Sequence, residues 1–142
     1  PIMLYIIGEL AYNNIKANMY CTIDEVRRDN LKQTQLLKGV LEGCVLLIVL
    51  ENQVYGYEMI QLLKKHGFKE IVAGTVYPLL QKLEKQGYLS STIKPSPEGP
   101  DRRYYYITPE GKAHCRDFIE QWEDLASKVD NLICLKGEKL HE

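Results

Sequence analysis

Polar and basic side chains recur between residues 75 and 104 in a pattern suited to binding nucleic acid. Lys and Arg neutralise phosphates, and the side-chain amide of Gln81 can pair with adenine. Tyr77 can bond a phosphate, and the pair Arg102-Arg103 lies beside a proline-rich turn. For Gln81, Lys82 and Lys85 an ordinary solvated helix face is the alternative. The candidates for contact with DNA in this stretch are Thr75, Tyr77, Gln81, Lys82, Lys85, Lys94, Arg102, Arg103 and Tyr104.

The formal net charge of the 142-residue chain is only −1, but the charge is unevenly distributed. Residues 1–59 have 5 basic and 7 acidic side chains, residues 60–105 have 8 and 4, and residues 106–142 have 5 and 8. The middle segment therefore has a net charge of +4, and it contains all of the candidates above. Such asymmetry is typical of a nucleic-acid-binding face on a nearly neutral protein.

The sequence contains no arrangement typical of an enzyme or of a metal site. Ser-His-Asp, HExxH, Walker and GxGxxG patterns are missing, and the four cysteines at 21, 44, 115 and 134 form no CxxC pair. His114 and Cys115 are adjacent, but neighbours in a helix point about 100° apart and are poorly placed as base and nucleophile. We expect no catalysis, no metal and no cofactor. For Cys44 and Cys115 we expect buried packing, with redox sensing or a disulfide as the alternative.

Three helical segments precede an alternating region. Apolar residues at helical spacing predict a first, largely buried helix over residues 34–52 and a second over 57–66. The third is expected to begin near Thr75, whose hydroxyl would cap it, with Pro78 in its first turn. Glycines end the second and third helices.

The alternating region predicts a β-hairpin. Its two segments, residues 89–94 and 102–108, are separated by seven turn-forming residues, so we expect a long tip. Alternation places Tyr105 on the core face, and Tyr104 and Tyr106 on the other.

A long helix is predicted to follow, with Thr108 as its N-cap and Pro109 as its first residue. It extends about 25 residues, or roughly 37 Å, which is longer than so small a domain can cover alone. A partner chain is the simplest cover for its apolar seam. The residues of that seam, spaced as in a coiled coil, are Cys115, Phe118, Trp122, Leu125, Val129 and Leu132.

This order of elements predicts a fold that is mainly α with a small β-hairpin (α+β), a winged helix-turn-helix followed by a long C-terminal dimerisation helix. We expect an N-terminal extension of unassigned role at residues 1–30, the DNA-binding domain at 31–108, and the dimerisation helix and tail at 109–142. No run of about 18 apolar residues occurs, so we expect a cytoplasmic protein with no membrane partner.

Four motifs in this order resemble the PadR family of bacterial transcriptional regulators. They are LLKGVLE at 36–42, YGYE at 55–58, GTVYPLLQKLEKQGYL at 74–89 and GPDRRYYYITPEG at 99–111. The resemblance spans about residues 36–133. It implies a dimeric repressor that binds a palindromic operator in double-stranded DNA and is released by a small effector or another signal. The family's recognition-helix motif is matched by Thr75, Tyr77 and Pro78. Its wing motif is matched by Arg102, Arg103 and Tyr104.

The same resemblance extends to the C-terminal helix. It matches the short-tailed branch, whose single helix packs with the partner's first helix, and in some members lines a pocket for flat hydrophobic compounds. Trp122 is a candidate for lining such a pocket, and simple dimer packing is the alternative. Residues 1–30 depart from the family by length. A winged helix that serves only as a protein-interaction module is the second function considered, and salt-dependent binding to any duplex would discriminate the two.

Overall fold

The computed structural model describes residues 36–141, which form four helices and a three-stranded antiparallel sheet. The expectation of a mainly helical winged-helix fold is confirmed. The predicted extension at residues 1–30 and Cys21 lie outside the described residues. The first helix is shorter than the predicted 34–52, because residues 38–40 form a turn and the helix covers only Leu41–Val49. In chain order the elements are α1 (Leu41–Val49), β1 (Val54–Tyr55), α2 (Gly56–Lys65), α3 (Ala73–Lys85), β2 (Leu89–Ser96), β3 (Gly99–Ile107), α4 (Pro109–Lys136) and a 3₁₀ turn (Gly137–His141).

One apolar core holds the compact unit Leu36–Ala126 together. The helical spacing read from the sequence is confirmed, because one side of each of α1, α2 and α3 is buried against the others and against the sheet. The side chains with almost no exposed surface are Val45, Leu46, Val49, Met59, Leu63, Val76, Leu80, Leu83 and Leu89.

Glycines end α2 and α3 as expected. Gly67 (φ +102°) and Gly87 (φ +85°) adopt the left-handed conformation that glycine reaches without steric cost. Each donates its N–H to a carbonyl three residues earlier at 3.0 Å, and the next residue donates to a carbonyl five residues earlier, also at 3.0 Å. These Schellman motifs satisfy the last carbonyl groups of the two helices.

The predicted start of α3 is wrong. The helix begins at Ala73, because the backbone N–H groups of Thr75 and Val76 already donate to the Val72 carbonyl at 3.0 and 3.2 Å. Thr75 is therefore the third residue of the helix and not its cap, and Val72 makes no side-chain capping bond. Pro78 lies at the sixth position, in the helix interior, where its missing N–H leaves the Gly74 carbonyl without the usual helical partner.

The hairpin of β2 and β3 is longer than predicted, and its tip is short. Ser96 pairs with Gly99, so only Pro97 and Glu98 form the turn instead of the expected seven residues. A register shift between Lys94 and Ser96 accommodates a bulge, which is where a sheet tolerates proline such as Pro95. The prolines had suggested an unpaired loop.

Strand β1 was not predicted. It pairs with β3, giving the strand order β1-β3-β2, with Val54 opposite Tyr105 and Tyr55 opposite Tyr104. Tyr55 also precedes the first residue of α2, and its N–H donates to the Glu58 carboxylate at 3.4 Å. The sheet edge and the start of α2 thus share one residue.

Helix α4 begins as predicted. The Thr108 hydroxyl accepts a hydrogen bond from the Gly111 N–H at 3.0 Å and lies within bonding distance of the Gly87 and Tyr88 carbonyls, at 2.6 and 3.0 Å. The first turn of α4 approaches the Tyr88 backbone closely, since a methyl group at Gly111 would lie 2.1 Å from the Tyr88 carbonyl oxygen. The helix is continuous to Lys136. None of the helices within residues 36–141 is long and apolar enough to span a membrane.

Candidate nucleic-acid interface

Helix α3 presents a polar stripe to solvent. Its buried side includes Val76 and Leu80, and the helical period of 3.6 residues turns Pro78, Gln81 and Lys85 directly away from them. All three are exposed, so we refer to Pro78, Gln81 and Lys85 as the α3 stripe. Two of its members can bind DNA through a side-chain amide and an ammonium group.

Lys82 lies beside the α3 stripe but is engaged within the chain. Its ammonium group forms an ion pair with Glu42 of α1, at an Nζ–Oε1 distance of 2.5 Å. Lys82 therefore joins α3 to α1 and has its charge partly compensated. Lys85 has no anionic partner among residues 36–141, and Thr75, in the first turn of α3, is exposed.

Tyr77 packs α3 against the start of α2. A methyl group added at Gly56 would lie 2.2 Å from Cε1 of the Tyr77 ring, so the ring lies directly on the glycine. The side chain is still 41% exposed. Tyr77 therefore contributes to packing as well as to the surface beside the α3 stripe.

The side chains of Arg102 and Arg103 project from opposite faces of the hairpin. Successive side chains of a strand alternate between faces, and Tyr105, two residues after Arg103, is buried in the core. Arg103 thus shares the inner face with Tyr105, whereas Arg102 shares the outer face with Tyr104. The expectation that Tyr105 is the core tyrosine is confirmed, with Tyr106 exposed on the outer face.

On the outer face, two cations lie over two tyrosine rings. The Arg102 guanidinium carbon is 4.5 Å from the centre of the Tyr55 ring, and Lys94 Nζ is 5.2 Å from that of Tyr104. The two rings meet edge to face with centres 5.5 Å apart, and Lys94 donates to Gln53 Oε1 at 2.9 Å. We call Gln53, Tyr55, Lys94, Arg102 and Tyr104 the outer wing cluster.

On the inner face, a chain of hydrogen bonds joins the hairpin to the end of α3. Arg103 Nη1 donates to Ser91 Oγ at 2.9 Å, and Ser91 Oγ donates to Glu84 Oε1 at 2.5 Å. Burial raises the pKa of the nearby Tyr105 hydroxyl, and the negative charge of Glu84 adds to the effect. Tyr105 is therefore a neutral hydroxyl at physiological pH.

Sequence reasoning missed Tyr55, Gln53, Ser91 and Glu84. A strand of two residues gives no alternating pattern, and the YGYE motif at 55–58 marked Tyr55 for the family resemblance without giving it a contact. Pairing between β1 and β3 brings Tyr55 beside Arg102, 47 residues later in the sequence. Such a contact depends on tertiary register and not on spacing.

The predicted seam of α4 divides into two parts. Cys115 is buried in the core, and the Phe118 ring covers Gly43 of α1, where an added methyl group would lie 2.5 Å from it. Both are thus covered by the chain's own α1 and core. The four later residues are between 46% and 60% exposed. We call them the α4 stripe: Trp122, Leu125, Val129 and Leu132.

The cysteines within residues 36–141 are free thiols in three different environments. Cys115 is buried, Cys44 is partly buried and Cys134 is exposed, and burial raises the pKa of the Cys44 and Cys115 thiols. The described part of the chain contains no group of three or more His, Cys, Asp or Glu residues that could hold a metal ion.

Known proteins are similar to this chain in both sequence and fold. Residues 45–117 match the PadR-like family of transcriptional regulators. A PadR-like transcriptional regulator from Bacillus cereus is 43% identical, with a TM-score of 0.64 over 70% of this chain and 96% of that one. A Streptococcus transcriptional regulator is 51% identical, with a TM-score of 0.63 over 69% of this chain and 96% of that one. A transcriptional regulator from Mycobacterium tuberculosis is 37% identical over 56% of this chain and 72% of its own length.

Proposed function

The chain belongs to the PadR-like family of transcriptional regulators, and on that premise we propose that it is a homodimeric repressor that binds a palindromic operator in duplex DNA. Such a regulator acts in the cytoplasm on the chromosome. It uses no catalytic residue and no cofactor.

The observation that carries this proposal is the α3 stripe next to a cationic wing. Pro78, Gln81 and Lys85 face solvent together, with no apolar cover. In the major groove Gln81 would pair with a base edge, and Lys85 would contact a phosphate. The basic hairpin that follows α3 would reach the adjacent backbone.

The α4 stripe supports the dimer. Four large apolar side chains about half exposed on one side of a helix are typical of a surface that a partner covers. Pairing through α4 would space two recognition helices by about one DNA turn, roughly 34 Å, which matches a palindromic site. A small hydrophobic or aromatic effector bound beside Trp122 would change that spacing and release the operator.

A salt titration of DNA binding tests the proposal. Fluorescence anisotropy compares the DNA upstream of the protein's own gene with a scrambled duplex of equal length, at several salt concentrations. Tight binding to the upstream DNA alone is expected. Gln81→Ala should weaken that binding by roughly 5- to 100-fold and leave the scrambled duplex unaffected. The matched control is Gln61→Ala, on the exposed side of α2.

Two outcomes would contradict the proposal. Equal affinity of wild type and Gln81→Ala for the upstream duplex would remove α3 from base recognition. No binding to either duplex at low salt would favour the protein-interaction module instead.

A further inference from the structure

We propose that Lys94 and Arg102 form a two-cation clamp for one backbone phosphate, held in place by the rings of Tyr104 and Tyr55. The inference rests on the proposed function, because it takes the phosphate to be that of duplex DNA. It assigns a role to Tyr55, a residue outside both the recognition helix and the hairpin.

The first argument is the pairing of like charges. Lys94 and Arg102 are direct partners in the β2–β3 ladder, so their Cβ atoms are roughly 5 Å apart. Like charges in such a pair repel each other and destabilise the sheet. Within residues 36–141 neither cation forms an ion pair with a carboxylate. An anion bound between them would relieve the repulsion.

The second argument is the set of donors left unused. The Arg102 guanidinium donates no hydrogen bond to any of the described residues and lies over the face of Tyr55. A cation–π contact uses no N–H group, so the five guanidinium donors stay available to an anion, which can accept two of them in a bidentate contact. Lys94 uses one of its three donors on the neutral amide of Gln53.

The third argument is preorganisation. Long cationic side chains lose rotamer entropy when they are fixed, and that loss weakens phosphate binding. Here the Tyr55–Arg102 and Tyr104–Lys94 contacts restrict both cations before DNA arrives. Because the Tyr55 and Tyr104 rings also touch each other, the two cations are held relative to one another.

A double-mutant cycle tests the role of Tyr55. Tyr55→Leu keeps the apolar bulk and removes the aromatic face, whereas Tyr55→Phe keeps the face and is the matched control. We expect Tyr55→Leu to weaken binding to the upstream duplex roughly threefold to tenfold, and Tyr55→Phe to change it less than about twofold. In an Arg102→Ala background, Tyr55→Leu should cause no further loss.

The salt dependence of binding tests the clamp itself. Replacing both Lys94 and Arg102 with Ala should lower the slope of log affinity against log salt by about one, because the two cations share one phosphate, and each single variant should lower it by less. Arg102→Lys should keep the slope and weaken binding, because lysine retains the charge but lacks the planar guanidinium and its bidentate donors. This variant also tests Tyr55 if Tyr55→Leu fails to fold, as judged by circular dichroism.

Each result either supports or overturns the inference. Equal losses from Tyr55→Leu with and without Arg102 would mean that Tyr55 acts through the fold alone. An unchanged salt slope in the Lys94→Ala/Arg102→Ala variant would exclude the clamp. An Arg102→Lys variant that binds the upstream duplex as tightly as the wild type would exclude a role for the Tyr55 ring. Wild-type protein that binds no duplex would overturn the proposed function and the clamp with it.

Discussion

Arg102 and Arg103 are adjacent in the sequence, yet their side chains bind partners on opposite faces of the β2–β3 hairpin. Arg102 lies over the Tyr55 ring on the outer face, and Arg103 donates a hydrogen bond to Ser91 on the inner face. Because Ser91 also donates a hydrogen bond to Glu84 of α3, Arg103 links the hairpin to α3. The two adjacent arginines of the wing motif therefore have different environments.

Arg103→Ala should reduce stability without changing the salt dependence of DNA binding. Removing the Arg103–Ser91 hydrogen bond is expected to cost about 0.5 kcal/mol of unfolding free energy, at the low end of the usual range because Arg103 is exposed. Urea denaturation measures the loss. Ser91→Ala should produce a similar loss that does not add to it. A salt slope lowered by about one in Arg103→Ala would instead place Arg103 on a phosphate.

Gly111→Ala should strongly destabilise the fold. The added methyl group would lie 2.1 Å from the Tyr88 carbonyl oxygen, and a backbone atom at the junction of α3, β2 and α4 cannot move without displacing the start of α4. We expect a loss of about 1–3 kcal/mol in unfolding free energy, measured by urea denaturation.

The matched control is Gly74→Ala, in the first turn of α3. Nothing lies within 4 Å of a methyl group there, so stability should be unchanged or higher by up to about 1 kcal/mol. A Gly111→Ala variant as stable as Gly74→Ala would contradict the close approach of α4 to Tyr88.

The elements of the fold were largely readable from the sequence because apolar spacing and glycine stops are local signals. The exact starts of these elements could not be read from the sequence. The Thr75 hydroxyl suggested an N-cap for α3, although that helix begins two residues earlier at Ala73. The prolines near the wing tip suggested a loop, but a bulge and an exposed edge let the strands continue.

The residues of the candidate site could be predicted from the sequence, but their side-chain contacts could not. Gln81 and Lys85 could be placed on the free face of α3 because the helical period fixes their direction. The engagement of Lys82 by Glu42, and of Arg102 by Tyr55, joins residues 40 or more positions apart. Such contacts are set by how the elements pack, which single-sequence periodicity does not contain.

Gly56→Ala should impair DNA binding through Tyr77. The new methyl group would overlap the Tyr77 ring and push the ring, and α3 with it, away from α2. We expect a loss of about 1–3 kcal/mol in stability, together with weaker binding to the upstream duplex. Denaturation and anisotropy on the same preparation measure both.

A second substitution tests that explanation. Tyr77→Ala removes the ring, so Gly56→Ala should cost much less in that background. If Gly56→Ala is equally harmful with and without the Tyr77 ring, the harm does not come from their contact.

The thiols should react in the order of their burial. Exposed Cys134 is expected to react rapidly with a thiol reagent, whereas Cys44 and Cys115 should react slowly because burial restricts access and raises their pKa. Mass spectrometry of partially labelled protein identifies the sites. Cys134→Ser should remove the fast phase attributed to that residue, and rapid labelling of Cys115 in folded protein would contradict its burial.

The same pKa shifts predict how stability depends on pH. The unfolded chain loses its thiol protons near the ordinary value of about 8.5, whereas the folded protein retains those of Cys44 and Cys115 to higher pH. Their contribution to stability is therefore complete below that value and is lost as pH rises through the raised folded values. Urea denaturation between pH 7 and pH 10 should show a decline that is smaller in Cys115→Ala, measured relative to that variant's own stability at pH 7.

Leu125→Asp combined with Val129→Asp should convert a dimer into a monomer that remains folded. Both side chains are about half exposed in the single chain, so a charge there costs the isolated chain little, but burying it against a partner would be costly. Sedimentation equilibrium should give the mass of one chain, and affinity for a palindromic duplex should fall to that for a single half-site. Leu135→Asp is the matched control, since Leu135 is exposed and off the α4 stripe. A double variant that sediments as a dimer would exclude the α4 stripe from the interface.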